Sequence, residues 1–156
     1  FQLQQLFTKA GVKFVPHAER QRQAVASLQH LGTLSNDVEL AKTYDLLRQE
    51  KPLVRALLSS PLTVHAAPAL SGIATHTAQR ALVDVASDTN FDVTDRQAAR
   101  KAFAAAVARR GLLLTTSEIR QQYDLYNASE TLDADTQQLL AGVLDIIEQK
   151  KVSSDP

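Results

Sequence analysis

The sequence of 156 residues contains no cysteine, no methionine and no tryptophan. The absence of cysteine excludes disulfide bonds and thiolate metal sites. Lys+Arg and Asp+Glu number 17 each, so the formal net charge is zero. A nucleic-acid-binding domain usually has a clear basic excess, because Lys and Arg replace counterions along the phosphates. The balanced charge therefore argues against nucleic acid as a partner.

Glycine-rich phosphate-binding motifs and long apolar runs are also missing. The chain has no G-x-x-x-x-G-K-[ST] or G-x-G-x-x-G motif, so we do not expect it to hydrolyse nucleotides by itself. No apolar stretch approaches the roughly 18 residues that span a bilayer, so we expect no membrane insertion. The first residue is Phe1 rather than methionine, and no signal-peptide pattern follows it. We therefore expect Phe1 to follow a cleavage or a trimming of a longer chain.

Helical periodicity dominates the residues that are present. Gly and Pro number only five each, and the helix-forming residues Ala, Leu, Gln and Arg are abundant. Apolar residues recur at spacings that place them on one face of a helix. Three such stripes are Ala24, Val25, Leu28 and Leu31; Leu40, Ala41, Tyr44 and Leu47; and Ala98, Ala99, Ala102, Phe103, Ala106 and Val107. The pattern predicts an all-α protein whose stripes face a core.

The first predicted unit spans residues 17–51 and contains two helices. The segment "GTLSN" is the expected turn between them, and Asn36, with Glu39 three residues later, is the expected N-cap of the second helix. Pro52 suits the start of a further short helix, where its missing N–H needs no partner. The expected buried side of that helix is Leu53, Val54, Leu57 and Leu58. Residues 59–68, with two prolines, are the predicted linker to the next unit.

The second predicted unit spans residues 69–111. An unbroken stripe from Ala69 to Ala86 predicts one long helix. Thr94 and Gln97 are three residues apart and predict a capping box at the start of the next helix. The expected end of that helix is marked by Arg109, Arg110 and Gly111.

The third predicted unit spans residues 116–151. Thr115 and Glu118 predict another capping box, and the most apolar helix of the chain follows later in this unit. Residues 1–16 are expected to form an N-terminal arm, and residues 152–156 are expected to form a frayed tail.

Two of these units share a phrase. "SNDVELAKTYDLLRQEK" (residues 35–51) resembles "DADTQQLLAGVLDIIEQKK" (residues 133–151). Internal repetition at intervals of roughly 35–45 residues is typical of stacked helical arrays. The sequence thus predicts about three helix-turn-helix hairpins, stacked as a short irregular solenoid within a single domain. A simple all-helical bundle, whose amphipathic helices merely look alike, is the alternative.

No set of residues in the sequence converges on a reaction. The histidines show no metal-ligand spacing, so we expect structural roles for His17, His30, His65 and His76. The segment Asp88–Asp95 alternates polar side chains as a calcium loop does, but Val93 and Ala99 occupy the places of the required Gly and Glu. Capping and solvation explain its carboxylates better. We therefore predict no catalytic, cofactor-binding or metal-binding residues, and no cofactor.

The basic residues of the second unit admit two interpretations. They lie on or just after one predicted helix, and they are Arg96, Arg100, Lys101, Arg109 and Arg110. The ordinary interpretation is a solvated helix face. The alternative is a surface that meets an acidic partner or RNA phosphates.

The hairpin "LGTLSNDVELAKTYDLLRQEK" resembles the pentatricopeptide-type helical repeat. In that family two helices joined by a short turn recur about every 35 residues, and the second helix has a small residue before a larger apolar one. Ala41 before Tyr44, and Ala99 before Phe103, occupy those places here. The resemblance extends over about two thirds of the chain. It implies a stack of helical hairpins that serves as a binding surface.

A short, neutral chain of this type is similar to the small helical-repeat subunits attached to the mitochondrial F1-ATPase of euglenozoan protists. The likeness in size, architecture and composition implies a mitochondrial matrix protein, made by removal of a targeting peptide. It also implies a partner in the α/β head of F1, with nucleotide chemistry left to that partner.

The leading hypothesis from the sequence is a non-catalytic helical interaction subunit of a larger complex. The segments Leu53–Leu58 and Leu112–Leu114 are its expected contacts if they are exposed. One alternative is a small RNA-binding helical-repeat protein that uses Arg96, Arg100 and Arg109. Another is an enzyme with a dispersed site, which would need a deep pocket with strongly shifted titrating groups.

Overall fold

The computed structural model describes residues 17–149, which form eight α-helices and two 3-10 segments without a β-strand in that range. The α-helices are α1 (His17–Asn36), α2 (Val38–Thr43), α3 (Glu50–Leu57), α4 (Ser60–Ile73), α5 (His76–Ser87), α6 (Val93–Arg110), α7 (Thr116–Ala128) and α8 (Ala134–Gln149). The 3-10 segments are Leu46–Gln49 and Ser129–Thr131. The prediction of an all-α protein is confirmed. The predicted arm (1–16) and tail (152–156) lie outside the described residues.

Alternate helices pack side by side in two rows. One row contains α1, α4, α6 and α8, each in contact with the next. The other contains α3, α5 and α7, and α5 also packs against α4, α6 and α8. α1 packs mainly against α4, which lies outside the predicted hairpin of residues 17–51. The division of this stack into three repeats stays a prediction.

The core lies between the two rows and is built largely from small and medium side chains. Most buried apolar residues of the described range join one cluster, to which every α-helix except α2 and α7 contributes, and α7 packs the partly buried Ile119, Tyr123 and Tyr126 against it. Its largest fully buried apolar side chains are Leu57, Leu70, Leu82, Phe103 and Ile147. The predicted stripe of α6 is confirmed, because Phe103 and its alanine neighbours Ala99, Ala102 and Ala106 are buried.

The crossing of α1 and α4 is unusually close because small residues face each other there. Gly72 of α4 lies against the backbone of Ser35 in α1, so that a Cβ atom at Gly72 would overlap the Ser35 carbonyl group. Gly32 faces Pro68 at ordinary van der Waals distance, since a Cβ atom there would lie 3.7 Å from the Pro68 Cβ. Asn36 Nδ2 donates a 2.8 Å hydrogen bond to the Pro68 carbonyl oxygen. These contacts hold α1 against α4.

The predicted linker over residues 59–68 is wrong, because α4 begins at Ser60 and runs through this segment. Pro61 lies in the first turn, where a missing N–H costs nothing. Pro68 lies inside the helix and removes one backbone hydrogen bond. Its contact with Gly32 and the Asn36 hydrogen bond belong to the tertiary packing that accommodates it.

The predicted turn at "GTLSN" and its N-cap are also wrong. α1 continues through this segment to Asn36. The N-cap of α2 is instead Asp37, whose carboxylate accepts hydrogen bonds from the backbone N–H groups of Glu39 and Leu40. α2 ends after one and a half turns at Thr43, so the predicted second helix of this unit is interrupted.

The predicted long helix from Ala69 to Ala86 is two helices. Ala74, between α4 and α5, adopts a left-handed conformation with φ of 51°, which ends α4. Thr75 then caps α5 by accepting a hydrogen bond from the backbone N–H of Ala78, and its hydroxyl also hydrogen-bonds Glu50 at the start of α3. The chain therefore turns at this point without a glycine.

Two of three predicted helix-end signals in the second half of the chain are confirmed. Thr115 and Glu118 form a reciprocal capping box at the start of α7. Gly111 ends α6 with φ of 83°. The Thr94–Gln97 capping box is wrong, because α6 begins at Val93 with Asp92 as its N-cap residue, and this places Thr94 inside the first turn.

Candidate functional site

The candidate metal ligands of the sequence do not lie close to one another in the fold. Within residues 17–149, no three His, Asp or Glu side chains are placed to hold a metal ion together. In the Asp88–Asp95 segment, Asp88 Oδ1 accepts a 2.9 Å hydrogen bond from the backbone N–H of Asn90. Asp95 is buried and accepts a 2.7 Å hydrogen bond from Ser60 Oγ. These carboxylates thus stabilise a turn and join α6 to α4.

The predicted solvated basic face of α6 is wrong in its first half. Arg96 is only 2% exposed and donates hydrogen bonds to the Ala86 carbonyl oxygen (3.2 Å) and to Thr136 Oγ1 (2.9 Å). Burial lowers the pKa of Arg96, while Asp133 and Asp88 act to raise it. Arg96 therefore joins α6 to the ends of α5 and α8, and it is not available to a phosphate.

The other basic residues of this run divide between the core and the surface. Arg100 is half-buried, and its guanidinium lies against Gly142 in α8. Arg109 is exposed and donates a 3.1 Å hydrogen bond from Nη2 to Asn36 Oδ1. Lys101 and Arg110 are exposed on α6. An RNA-binding surface built on Arg96, Arg100 and Arg109 is therefore not favoured by the geometry.

A polar cluster joins the beginnings of α5 and α7. His76 Nε2 lies 2.9 Å from Glu118 Oε2, and Arg80 Nε lies 3.4 Å from Glu118 Oε1. Burial acts to raise the pKa of Glu118, but hydrogen bonds from the backbone and hydroxyl of Thr115 and from His76 outweigh it and lower the pKa to about 2. Burial raises the pKa of the neighbouring Asp84, against the effect of Arg80.

The Glu118 cluster should make stability depend on pH in acid solution. The pKa of Glu118 is lower in the fold than its ordinary value of 4.5, so its carboxylate stabilises the protein above about pH 4.5, and this contribution is lost as the pH falls towards 2. We expect Glu118→Gln to cost on the order of 1 kcal/mol above pH 5, because Gln still accepts the Thr115 hydrogen bond but carries no charge. The cost should shrink towards pH 2.

Urea unfolding at a series of pH values measures this difference. Glu130→Gln is the matched control, because Glu130 is exposed and has no hydrogen-bond or ion-pair partner within the described part of the chain. A constant difference between the wild type and Glu118→Gln from pH 7 to pH 2 would contradict the assignment.

Gln79 is a buried polar residue that the sequence pattern does not predict. It is fully buried in α5, and its Nε2 donates a 2.8 Å hydrogen bond to the Gly111 carbonyl oxygen. Its Oε1 accepts a 2.9 Å hydrogen bond from the backbone N–H of Leu113. The side chain thus holds the connection between α6 and α7. No local signal in the sequence marks a glutamine on an apolar stripe as this kind of partner.

The leucine-rich segments predicted as contacts belong mostly to the core. In Leu53–Leu58, Leu53 and Leu57 are buried, whereas Leu58 is 56% exposed. In Leu112–Leu114, only Leu113 is exposed. Neither segment offers a continuous apolar surface.

A group of exposed large apolar residues lies instead on α2 and in the segment that follows it. Val38, Leu40, Tyr44 and Leu47 are 58%, 37%, 53% and 58% exposed, and we call these four residues the 38–47 patch. The apolar spacing of Leu40, Tyr44 and Leu47 predicted a stripe facing the core. That prediction is wrong, because α2 ends at Thr43 and packs mainly against α1, so these side chains remain exposed.

A pocket of about 410 Å³ adjoins the 38–47 patch, and we call it the patch pocket. Its lining comes from the ends of α1, α4 and α6 together with the segment after Ala41. The lining residues are Ser35, Ala41, Thr43, Tyr44, Asp45, Leu46, Leu47, Gly72, Ile73 and Arg110. Patch and pocket thus share Tyr44 and Leu47.

A second pocket, of about 360 Å³, lies between the starts of α1 and α4. It is lined by His17, Arg20, Gln21, Ser59, Pro61 and Leu62. Its only large apolar side chain, Leu62, is half-buried, so it lacks the exposed apolar residues of the patch pocket.

The chain matches no protein-family model, no curated protein and no solved structure. From His17 to Gln149, no helix has both the length and the apolar character to cross a membrane. Its function must therefore be inferred from the geometry of the 38–47 patch.

Proposed function

We propose that the protein is a non-catalytic helical interaction subunit that docks on a larger assembly through the 38–47 patch. The observation that carries this proposal is the exposure of four large apolar side chains within ten residues, Val38, Leu40, Tyr44 and Leu47. Single exposed apolar residues are normal on protein surfaces, but four within ten residues, two of which line a pocket, are more than scattered exposure and favour an interaction site. Tyrosine is moreover enriched among residues that dominate interface energetics.

The position of the patch supports this role. Buried contacts join α1, α4, α6 and α8, and α2 packs against α1 at one end of this row. A partner that covers Tyr44 and Leu47 would remove their apolar surface from water, at a gain of roughly 25 cal/mol per Å² before the costs of association. The rest of the fold would serve as the support that presents this surface.

The α/β head of a mitochondrial F1-ATPase is the assembly we propose as the partner, in the mitochondrial matrix. The support for this choice is the all-α fold of residues 17–149 and the likeness in size and charge to small helical-repeat subunits of euglenozoan F1-ATPases; residues 31–51 do not form the hairpin that the resemblance implied. In this role the chain binds and presents a surface, and the nucleotide chemistry belongs to the head.

Co-elution tests the proposal directly. The double variant Tyr44→Ala/Leu47→Ser removes the centre of the patch, and Leu58→Ser is its matched control, because Leu58 is equally exposed but lies outside the patch. Each tagged protein is expressed in the native host cells and extracted under mild conditions. The extract is separated by size-exclusion chromatography, and mass spectrometry identifies the chains that co-elute with the tagged protein. We expect the wild type and Leu58→Ser to elute with the F1 head and the double variant to elute alone.

Two results would contradict the proposal. Elution of the wild type as a free monomer from a mild extract would remove the subunit role. Co-elution of the double variant with the assembly would move the contact away from the 38–47 patch. Co-elution of the wild type with a different assembly would keep the docking role and replace the F1 head.

A further inference from the structure

One charged residue that lines the patch pocket has no hydrogen-bond or ion-pair partner in the described part of the chain. The charged residues among the described lining of the pocket are Asp45 and Arg110. Asp45 Oδ2 already pairs with Arg48 Nε at 3.0 Å. Arg110, exposed in the last turn of α6, has no hydrogen-bond or ion-pair partner among residues 17–149. The free charge at the pocket is therefore positive.

The remaining walls of the pocket combine apolar side chains with the small polar residues Ser35 and Thr43. Tyr44, Leu46 and Leu47 lie on one side, and Ile73 with Gly72 comes from the end of α4. A volume of about 410 Å³ lies within the range of roughly 300–1,000 Å³ that small-ligand sites occupy, and it accommodates one or two large side chains. An occupant must therefore combine an apolar group with an anionic group placed beside it.

Resting on the proposed docking function, we propose that the patch pocket receives an acidic amphipathic segment of the partner protein. An apolar side chain of that segment fills the space between Tyr44 and Ile73, and a neighbouring Asp or Glu carboxylate pairs with the Arg110 guanidinium. The planar guanidinium suits a carboxylate, because it donates two parallel hydrogen bonds to it.

A carboxylate fits this site better than the phosphates of RNA. An RNA-binding surface needs a series of cations along the backbone, whereas Arg110 is the one cation among the described side chains that line the patch pocket. Arg96, on the same helix, is buried, and Arg109 already binds Asn36. The chain as a whole carries no net positive charge. One cation beside an apolar cavity recognises a single acidic group on a protein segment.

Two small probes measure the apolar contact and the ion pair with Arg110 separately. 4-Phenylbutyrate joins an apolar ring to a carboxylate, and 4-phenylbutyramide is its uncharged analogue. Titration of the 15N-labelled protein with each probe is followed by backbone amide shifts. We expect saturable shifts at Gly72, Ile73 and residues 41–47, with the carboxylate about two- to fivefold tighter than the amide, as an exposed ion pair provides.

The variant Arg110→Gln should abolish the difference between the two probes without abolishing binding of the amide. Lys101→Gln is the matched control, since Lys101 is exposed on the same helix but does not line the pocket, and it should keep the difference. Equal affinities of acid and amide for the wild type would overturn the proposal, and so would the absence of saturable shifts at these residues.

Failure of this inference and failure of the docking function are distinguishable. If Tyr44→Ala/Leu47→Ser loses the assembly while the wild type binds acid and amide equally, docking stands and the acidic partner segment is wrong. Light scattering of the purified protein tests a second copy as the occupant. A dimer that dissociates on Tyr44→Ala would assign the pocket to that copy and overturn the proposal.

Discussion

Replacement of Gly72 with alanine is expected to lower the free energy of unfolding by about 1–3 kcal/mol or more, the range for overpacking a close contact. The new methyl group would overlap the carbonyl group of Ser35. Because that group belongs to the backbone of α1, it cannot rotate away as a side chain would. Relief requires α1 and α4 to move apart, which would open the contacts of the whole crossing.

Gly32→Ala is the matched control for this prediction. Gly32 lies in the same crossing, but a Cβ atom there would meet Pro68 Cβ at 3.7 Å and the Ala69 nitrogen at 3.8 Å, which are ordinary contacts. Since alanine is favoured over glycine inside a helix by about 0.5–1 kcal/mol, we expect Gly32→Ala to be neutral or stabilising. Urea unfolding followed by circular dichroism compares the two variants. Equal effects would show that the crossing is not limited by the Gly72–Ser35 contact.

The parts of the fold that could be predicted from the sequence have local causes. The capping box at Thr115 and Glu118 needs only residues within one turn, and the structure forms it. Gly111 ends α6 because a left-handed or otherwise unusual φ is accessible to glycine, and this too is decided locally. The apolar stripe around Phe103 is likewise a property of one helix.

The end of α4 could not be predicted from periodicity, because the apolar stripe continues across it. Ala74 and Ala78 fit the stripe of the predicted long helix, yet Ala74 adopts φ of 51°, which alanine rarely does. The one local signal was Thr75, which caps α5 at Ala78. The part of α4 up to Pro68 was predicted as a linker because its prolines lower the local expectation of a helix, and only the contacts of Pro68 with α1 show how it is accommodated.

The 38–47 patch could not be predicted because a periodic pattern shows which residues share a face, not whether another element covers that face. Leu40, Tyr44 and Leu47 have the spacing of a buried stripe. In the fold, α1 packs against α4 instead of against the segment that follows α2, and the stripe stays open. Arg96 shows the converse, because a charge expected in solvent is covered where α6 meets α5 and α8.

Alanine replacements of Phe103 and Tyr44 should show that one residue contributes to folding stability and the other to docking. Phe103 is fully buried in α6, so Phe103→Ala is expected to cost about 3–5 kcal/mol through lost apolar contacts and the cavity that remains. Tyr44 is 53% exposed, so Tyr44→Ala is expected to change the free energy of unfolding by no more than about 0.5 kcal/mol. Chemical unfolding of both variants measures the difference, and Phe103→Leu keeps a measurable fold if Phe103→Ala does not.

We expect the Tyr44 and Phe103 variants to differ in the opposite sense in their association with the larger assembly. Tyr44→Ala should weaken co-elution with the larger assembly while the melting curve stays unchanged, because the residue contributes contact area to a partner rather than to the core. Phe103→Leu should leave association intact wherever the protein remains folded, since Phe103 is shielded from any partner by its own fold. If Tyr44→Ala destabilised the protein as strongly as Phe103→Ala, Tyr44 would belong to the core, and the 38–47 patch would cease to be a surface on which a partner can dock.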